Sequence, residues 1–218
     1  MKRRILSLFL APLHLALITL GHLTFAGSPD TVVVFNEIQY NPGGGTKDGE
    51  WVEVFNQMGI RTDVSGWRIK GIDYTFPPGT IIDPGACLVV YRNPAAGQLG
   101  PFSGSLDNSG ELLELVNQVG RLMDELDYRD SGRWPIEADG SGATLAKRRP
   151  YSASKPTGNW TFSSQVGGTP GTVNFPGASA APTILFNEIP PVSGETFWVE
   201  LVNVGSGAVD IGGFIVSV

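Results

Sequence analysis

Hydrophobic and polar residues alternate over short stretches of this chain, and Gly, Pro, Asn or Asp residues separate the stretches. Such runs predict β-strands, because successive side chains of a strand point to opposite faces of its sheet. Short strands at this spacing are typical of a β-sandwich or a barrel. The predicted strands are Thr31–Ile38, Trp51–Phe55, Trp67–Ile69, Thr80–Ile82, Cys87–Tyr91, Leu112–Val116 and Leu122–Tyr128.

Residues 111–128 come closest to a helical pattern, because Leu, Glu and Met are compatible with helices. Gly120 interrupts this stretch, and the β-branched residues around it favour two strands. Asn117–Gly120 is then the loop of a β-hairpin.

An internal repeat links the two ends of the chain. A repeat of this length indicates two structural units of the same kind. The offset is 151 residues for the first block and 147 for the other two, so one loop is four residues shorter in the second copy. The matching blocks are Val34–Ile38 with Leu185–Ile189, Trp51–Asn56 with Trp198–Asn203, and Asp63–Ile69 with Asp210–Val216.

The repeat divides the chain into one complete unit and the opening of a second. We expect the first domain at residues 31–175, a linker of small uncharged residues and prolines at 176–182, and the second copy at 183–218. So short a second piece cannot bury a core by itself. Either it docks on the first domain, or the natural chain continues and completes the sandwich, which is the interpretation we favour.

Residues 1–26 are typical of a secretory signal peptide. Lys2, Arg3 and Arg4 precede a long apolar stretch, and Thr24 and Ala26 provide small residues for cleavage. The apolar stretch is also nearly long enough for an uncleaved membrane anchor. We predict cleavage after Ala26, and therefore a secreted or cell-surface protein.

Composition then narrows the possible functions. The 29 Gly and 16 Pro suit short strands and tight turns. Without the three basic residues of the leader, 12 basic residues face 21 acidic ones, and this acidic balance argues against a nucleic-acid partner.

Both histidines also lie in the leader, which excludes histidine bases and histidine metal ligands from the mature chain. The single cysteine, Cys87, cannot form an internal disulfide and is interpreted as a buried small hydrophobe.

A set of ordered motifs between Val33 and Asn174 resembles the lamin tail domain of exported bacterial proteins, and residues 184–218 resemble the opening third of another copy. The combination is specific although each motif is short. The motifs are Phe35–Ile38, Glu50–Asn56, Val64–Trp67, Tyr74–Pro77, Ile82–Gly85, Leu106–Glu111, Trp134–Pro135, Asn159–Trp160, Gly168–Gly171 and Asn174.

The resemblance implies an all-β, immunoglobulin-like β-sandwich. Bacterial domains of this family are often repeated, and they often accompany hydrolase, phosphatase, nuclease or spore-coat-type kinase domains. Because a fold does not fix a function, the resemblance implies only a class of role.

Three polar residues recur in both copies of the repeat, namely Asn36, Glu37 and Glu53. Carboxylates that alternate with large apolar residues are expected to point outward from a half-buried strand. We predict a structural use, including hydrogen bonds to loop backbone, over a Ca²⁺ site, since no Asp-rich calcium loop is present.

The remaining polar and aromatic candidates are predicted to be structural. Asp124, Glu125 and Asp127 are interpreted as a solvated strand face rather than a pair of glycosidase acids. Residues 147–149, a Lys-Arg-Arg run, are interpreted as a solvated strand end rather than a nucleic-acid patch. The five tryptophans are expected in the core or at its ends, with Trp134 as the candidate for stacking on a ligand because Pro135 places it in a loop.

The sequence therefore predicts a protein without catalytic residues, metal site or cofactor. Its role would be to bind or space proteins or extracellular polymers, through sheet edges and end loops. Two alternatives stay open. One is an accessory domain of a larger secreted enzyme whose catalytic domain follows residue 218, and the other is a calcium-stabilised adhesion repeat.

Overall fold

A computed structural model describes residues 32–44, 46–175, 184–189, 198–205 and 207–212. The predicted signal peptide and linker lie outside these residues. Within them the regular structure consists of β-strands and three short 3-10 turns, at Lys47–Gly49, Ile136–Ala138 and Thr157–Asn159. The strands are β1 Val33–Gln39, β2 Trp51–Asn56, β3 Thr62–Asp63, β4 Arg68–Lys70, β5 Tyr74–Thr75, β6 Ile81–Ile82, β7 Cys87–Tyr91, β8 Leu112–Val116, β9 Leu122–Asp127, β10 Leu145–Lys147, β11 Trp160–Phe162, β12 Ile184–Glu188 and β13 Glu200–Asn203.

Two antiparallel sheets form an immunoglobulin-like β-sandwich. The larger sheet has the strand order β11-β10-β1-β2-β7, and the smaller has the order β5-β4-β8-β9. The short strands β3 and β6 pair separately, as do β12 and β13. The predicted fold class and the hairpin between β8 and β9 are both confirmed, since Asn117 N–H donates to the Arg121 carbonyl across the hairpin loop.

The core lies between the two sheets. Phe35, Val52 and Val54 of the larger sheet and Leu113 and Leu126 of the smaller one are fully buried. Each such side chain contributes about 1.5–3 kcal/mol when it leaves water. The alternation in the sequence therefore does specify which face of each strand is inside.

A bulge in β1 changes this alternation once. The register between β1 and β2 shifts between Phe35 and Glu37, so Asn36 is an extra residue. Phe35 and Ile38 both face the core as a result, although they are three positions apart. The side chains of Asn36 and Glu37 are left on the opposite face of the sheet.

Four short strands, β3, β5, β10 and β11, were not predicted from the sequence. β10 matters most for the architecture, because it pairs with β1 and is in turn paired with β11. The larger sheet is therefore completed by residues far along the chain from its first two strands.

Candidate functional site

The polar residues of the repeat form a buried cluster on the outer face of the larger sheet. Asn36, Glu37 and Glu53 are at most 2% exposed. The predicted structural use, with hydrogen bonds to loop backbone, is confirmed, although neither carboxylate is in contact with solvent. They do point away from the core, but residues 168–174, which we call the strap, cover them.

Glu37 binds the first half of the strap. Its carboxylate accepts hydrogen bonds from the Thr169 backbone N–H at 3.1 and 3.2 Å and from the Thr169 hydroxyl at 2.8 Å. The Thr144 hydroxyl donates to the same carboxylate. A single carboxylate thus satisfies both the N–H and the hydroxyl of Thr169, which has no sheet partner.

The second half of the strap is held by Glu53 and by the hydrogen bonds that its own last residue, Asn174, makes to the sheet. The Gly171 backbone N–H donates to Glu53 at 2.6 Å. The Asn174 side-chain amide donates to the carbonyls of Asn36 and Lys147, both at 3.0 Å, and so bridges β1 and β10. Asn36 in turn donates to Asn174 Oδ1 at 2.9 Å and to Glu53 Oε1 at 2.7 Å, which closes the network.

Burial dominates the electrostatics of this cluster. It raises the pKa of Glu53 from 4.5 to about 7, against the lowering effect of the hydrogen bonds from Asn36 and Gly171. It also raises the pKa of Glu37, against the hydrogen bonds from Thr144 and Thr169. A carboxyl group with a pKa near 7 has the proton affinity of a general acid or base.

Access decides what these carboxyl groups can do. A cavity of about 180 Å³ lies beside the strap, and Asn36, Cys87 and Asn174 contribute to its wall. Neither Glu37 nor Glu53 lines it. The groups with the most useful proton affinity are thus held by the protein's own backbone and are not presented to a substrate.

Cys87 is half-buried in β7 rather than fully buried as predicted. Its sulfur lies 3.8 Å from Asn36 Nδ2. Burial, with Glu53 nearby, raises the pKa of the thiol. Since the thiolate is the nucleophilic form, this position disfavours thiol chemistry.

A second buried polar group contradicts two predictions of solvated residues. Lys147 is fully buried, and its Nζ lies 2.9 Å from Ser154 Oγ. Ser154 donates to Asp124 Oδ2 at 2.6 Å, and Asp124 is only 1% exposed. Asp124 also accepts the Phe35 backbone N–H at 2.8 Å, beside the bulge of β1. Burial lowers the pKa of Lys147 to about 8, although Asp124 opposes the shift.

The other charged residues that were predicted to be solvated with Asp124 and Lys147 do lie closer to solvent. Glu125 pairs with Lys155 at 2.5 Å, and Asp127 pairs with Arg129 at 2.6 Å. Arg148 and Arg149 are exposed. The prediction of solvated side chains is therefore wrong for Asp124 and for Lys147, which are buried, and it holds for their charged neighbours.

Trp134 is not available for stacking on a ligand. It lies in a loop, as predicted, but it is buried and packs against Trp160, with the ring centroids 6.4 Å apart. Trp160 is itself buried, and its indole N–H donates to the Ser154 carbonyl at 2.7 Å. Both side chains are part of the core.

The sequence marks the strap only weakly, and it does not mark all of the residues that bind it. Gly168, Thr169 and Gly171 stand in the Gly-Thr-Pro-Gly motif, and Asn174 follows it. Thr144 and Ser154 lie in stretches that look like ordinary loops, so nothing in the sequence singled them out.

Two further properties concern the described residues as a whole. No group of three or more His, Cys, Asp or Glu side chains in this part of the chain is arranged to hold a metal ion. No helix within the described ranges is long and apolar enough to cross a membrane.

The two packed antiparallel sheets and the strap define an immunoglobulin-like domain. Residues 27–130 match the model of the Lamin Tail Domain family. Domains of this family are usually non-catalytic. A search of curated proteins found no match.

Proposed function

We propose that this protein is a non-catalytic binding or scaffolding module of an exported or cell-surface protein. The observation that carries the proposal is the enclosure of its polar cluster. Glu37 and Glu53 are fully buried, and their hydrogen bonds hold the strap on the sheet. Contacts with partners then fall to the sheet edges and the end loops.

Among the edge strands of the two main sheets, β9 is the longest, and we propose it as the contact surface. β9 has six residues and pairs with β8 on one side only within the described sheets. The edge formed by β7 is partly covered, because Tyr91 N–H donates to the Leu99 carbonyl at 2.9 Å. Glu125 and Asp127 of β9 are ion-paired with Lys155 and Arg129, so the basic groups of a partner would compete with these two side chains for the carboxylates.

Export is the second part of the proposal. The basic start, the apolar stretch and the small residues before Gly27 support cleavage after Ala26. Expression of the full chain with a C-terminal tag tests this directly. We expect the mature protein outside the cytoplasm with Gly27 as its first residue by N-terminal sequencing. An unprocessed protein retained inside the cell would contradict the proposal.

The binding role is tested with the mature protein and a cell-surface fraction of the producing organism. Reversing the edge charges in a Glu125→Lys, Asp127→Lys variant should abolish binding. A matched variant, Glu137→Lys and Asp139→Lys, makes the same charge change away from β9 and should bind like the wild type. Equal binding by both variants would remove β9 as the contact surface.

A further inference from the structure

The hairpin formed by β12 and β13 reproduces the pairing of β1 and β2. Both pairs are antiparallel, and both shift register at the equivalent asparagine, Asn36 in β1 and Asn187 in β12. Eight of the twelve equivalent positions at residues 33–38 and 51–56 carry the same residue in the second hairpin. A register irregularity is a specific feature of a strand pair, so its repetition indicates the same structural unit.

Side-chain hydrogen bonds repeat as well. Asn187 Nδ2 donates to Glu200 Oε1 at 2.6 Å, and Asn36 Nδ2 donates to Glu53 Oε1 at 2.7 Å. The asparagine that ends each second strand caps the following turn in the same way. Asn56 donates to the Ile60 carbonyl at 2.9 Å, and Asn203 donates to the Gly207 carbonyl at 2.7 Å. Further along, Asp63 accepts the Ser65 N–H and Asp210 accepts the Gly212 N–H, each at 2.8 Å.

The two hairpins differ in what covers their apolar faces. Phe35 and Ile38 are 0% exposed, whereas the equivalent Phe186 and Ile189 are 57% and 58% exposed. Leu201, which corresponds to the fully buried Val54, is 36% exposed. In the first unit, the sheet β5-β4-β8-β9 covers this face. The same face of the second hairpin has no such cover among the described residues.

We infer that residues 184–212 are the opening of a second lamin tail unit, and that the apolar face of β12 and β13 binds a separate stretch of polypeptide carrying lamin-tail-type strands. The first unit defines the chemistry of this partner. It supplies an apolar sheet like β4-β8-β9 over Phe186, Ile189 and Leu201. It also supplies a β10-like strand beside β12 and a β7-like strand beside β13. This inference does not depend on the binding role proposed for the first unit.

The experiment supplies the second hairpin with the strands that cover and flank the first hairpin, which we call the complement. In a fusion, residues 1–203 are followed by a second copy of residues 57–175, so that β13 continues as β2 does. We expect the calorimetric enthalpy of unfolding to be about twice that of the unmodified chain, because enthalpy scales with the number of folded residues. Amide hydrogens of β12 and β13 should become protected from exchange at the same time.

Two variants of the fusion sharpen the result. Phe186→Asp with Leu201→Asp should return the enthalpy to that of one unit, while the first unit keeps its own transition. A fusion with residues 33–56 in place of 184–203 establishes that the appended complement is competent to fold. If only this second fusion doubled the enthalpy, the inference would be overturned.

Self-association is the competing use of the same face. Sedimentation of the unmodified chain measures it. We expect a monomer at micromolar concentration, since the partner we infer is not a second hairpin. A dimer that Phe186→Asp dissociates would overturn the assignment of the partner.

Discussion

At the scale of single residues, Glu53 links the stability of the fold to the binding of a proton. Its hydrogen bonds to Asn36 and Gly171 hold the strap, and burial opposes its charge. The folded chain therefore binds a proton at Glu53 more tightly than the unfolded chain does.

This difference predicts an unusual pH dependence. The stabilisation linked to the raised pKa is fully present below pH 4.5 and is lost as the pH rises towards 7, on the order of 2–3 kcal/mol for this group. Urea denaturation between pH 4.5 and 7.5 measures it, in a range below the pKa of about 8 that burial gives Lys147. Glu53→Gln should weaken the loss of stability with rising pH.

The control for this prediction is Asp48→Asn, a substitution at an exposed turn residue. It should keep the pH dependence of the wild type. If the wild type instead gained stability steadily over this pH range, the burial of Glu53 would not govern its titration.

Sequence patterns identify which residues leave the core but not what lies over them. The alternation around Glu37 and Glu53 correctly places both carboxylates on the non-core face. It gives no information on the strap, which lies more than 100 residues further along the chain. Lys147 and Asp124 show the same limit, because a charged residue is ordinarily solvated and only the packed sheets reveal that these two are buried.

At the scale of an element, the strap depends on a glycine for its close approach to the sheet. Gly168 has φ +69°, and a Cβ at this position would meet the Glu37 carboxylate and the Thr144 side chain. Gly171 has a similar φ of +80°, but a Cβ there would have no neighbour within 4 Å. A Cβ would therefore be strained by the backbone conformation at both positions, but it would be crowded by neighbouring atoms only at Gly168.

Alanine substitutions use this difference. Both Gly168→Ala and Gly171→Ala should cost about 1–2 kcal/mol, because a residue with a Cβ is strained at positive φ. Gly168→Ala should cost roughly 2 kcal/mol more, because it also displaces Glu37 and Thr144. Denaturant melts of both variants at one pH give the comparison. Equal losses would mean that Glu37 and Thr144 make room for a Cβ at position 168 without cost.

Strand length, together with the flanking turn residues, explains which elements the sequence could reveal. β4 and β6 have only three and two residues, and they were found because turn residues stand beside them, at Ser65–Gly66 and Asp83–Gly85. Strands of five to seven residues, such as β1, β7 and β9, show enough alternation to be found. β10 and β11 have three residues each, and β3 and β5 have two. Such strands are specified by their partners in the sheet, which local periodicity cannot show.

At the scale of the whole molecule, the folded unit is longer than the matched segment of the family. The match ends at residue 130, yet β10 pairs with β1, and Leu145 and Trp160 belong to the core. The motifs that extend to Asn174 in the sequence are therefore part of one structure. Residues 131–175 therefore share the sheet and the core of the strands before them.

Truncation tests this unity. A chain of residues 27–130 loses Leu145, Trp160 and the strap, and loss of a single large core side chain costs about 3–5 kcal/mol. We expect no cooperative thermal transition for it by near-ultraviolet circular dichroism, whereas residues 27–175 should show one. A cooperative transition for the shorter chain would make residues 131–175 an independent addition.

Asn174 has a mechanical consequence. Its amide joins the last residue of the strap to Asn36, only three residues after the start of β1 at Val33. A chain pulled from both sides of this domain would thus transmit tension across a short path from β1 to the strap. The remainder of the sandwich would bear load only after that hydrogen-bonded junction had opened.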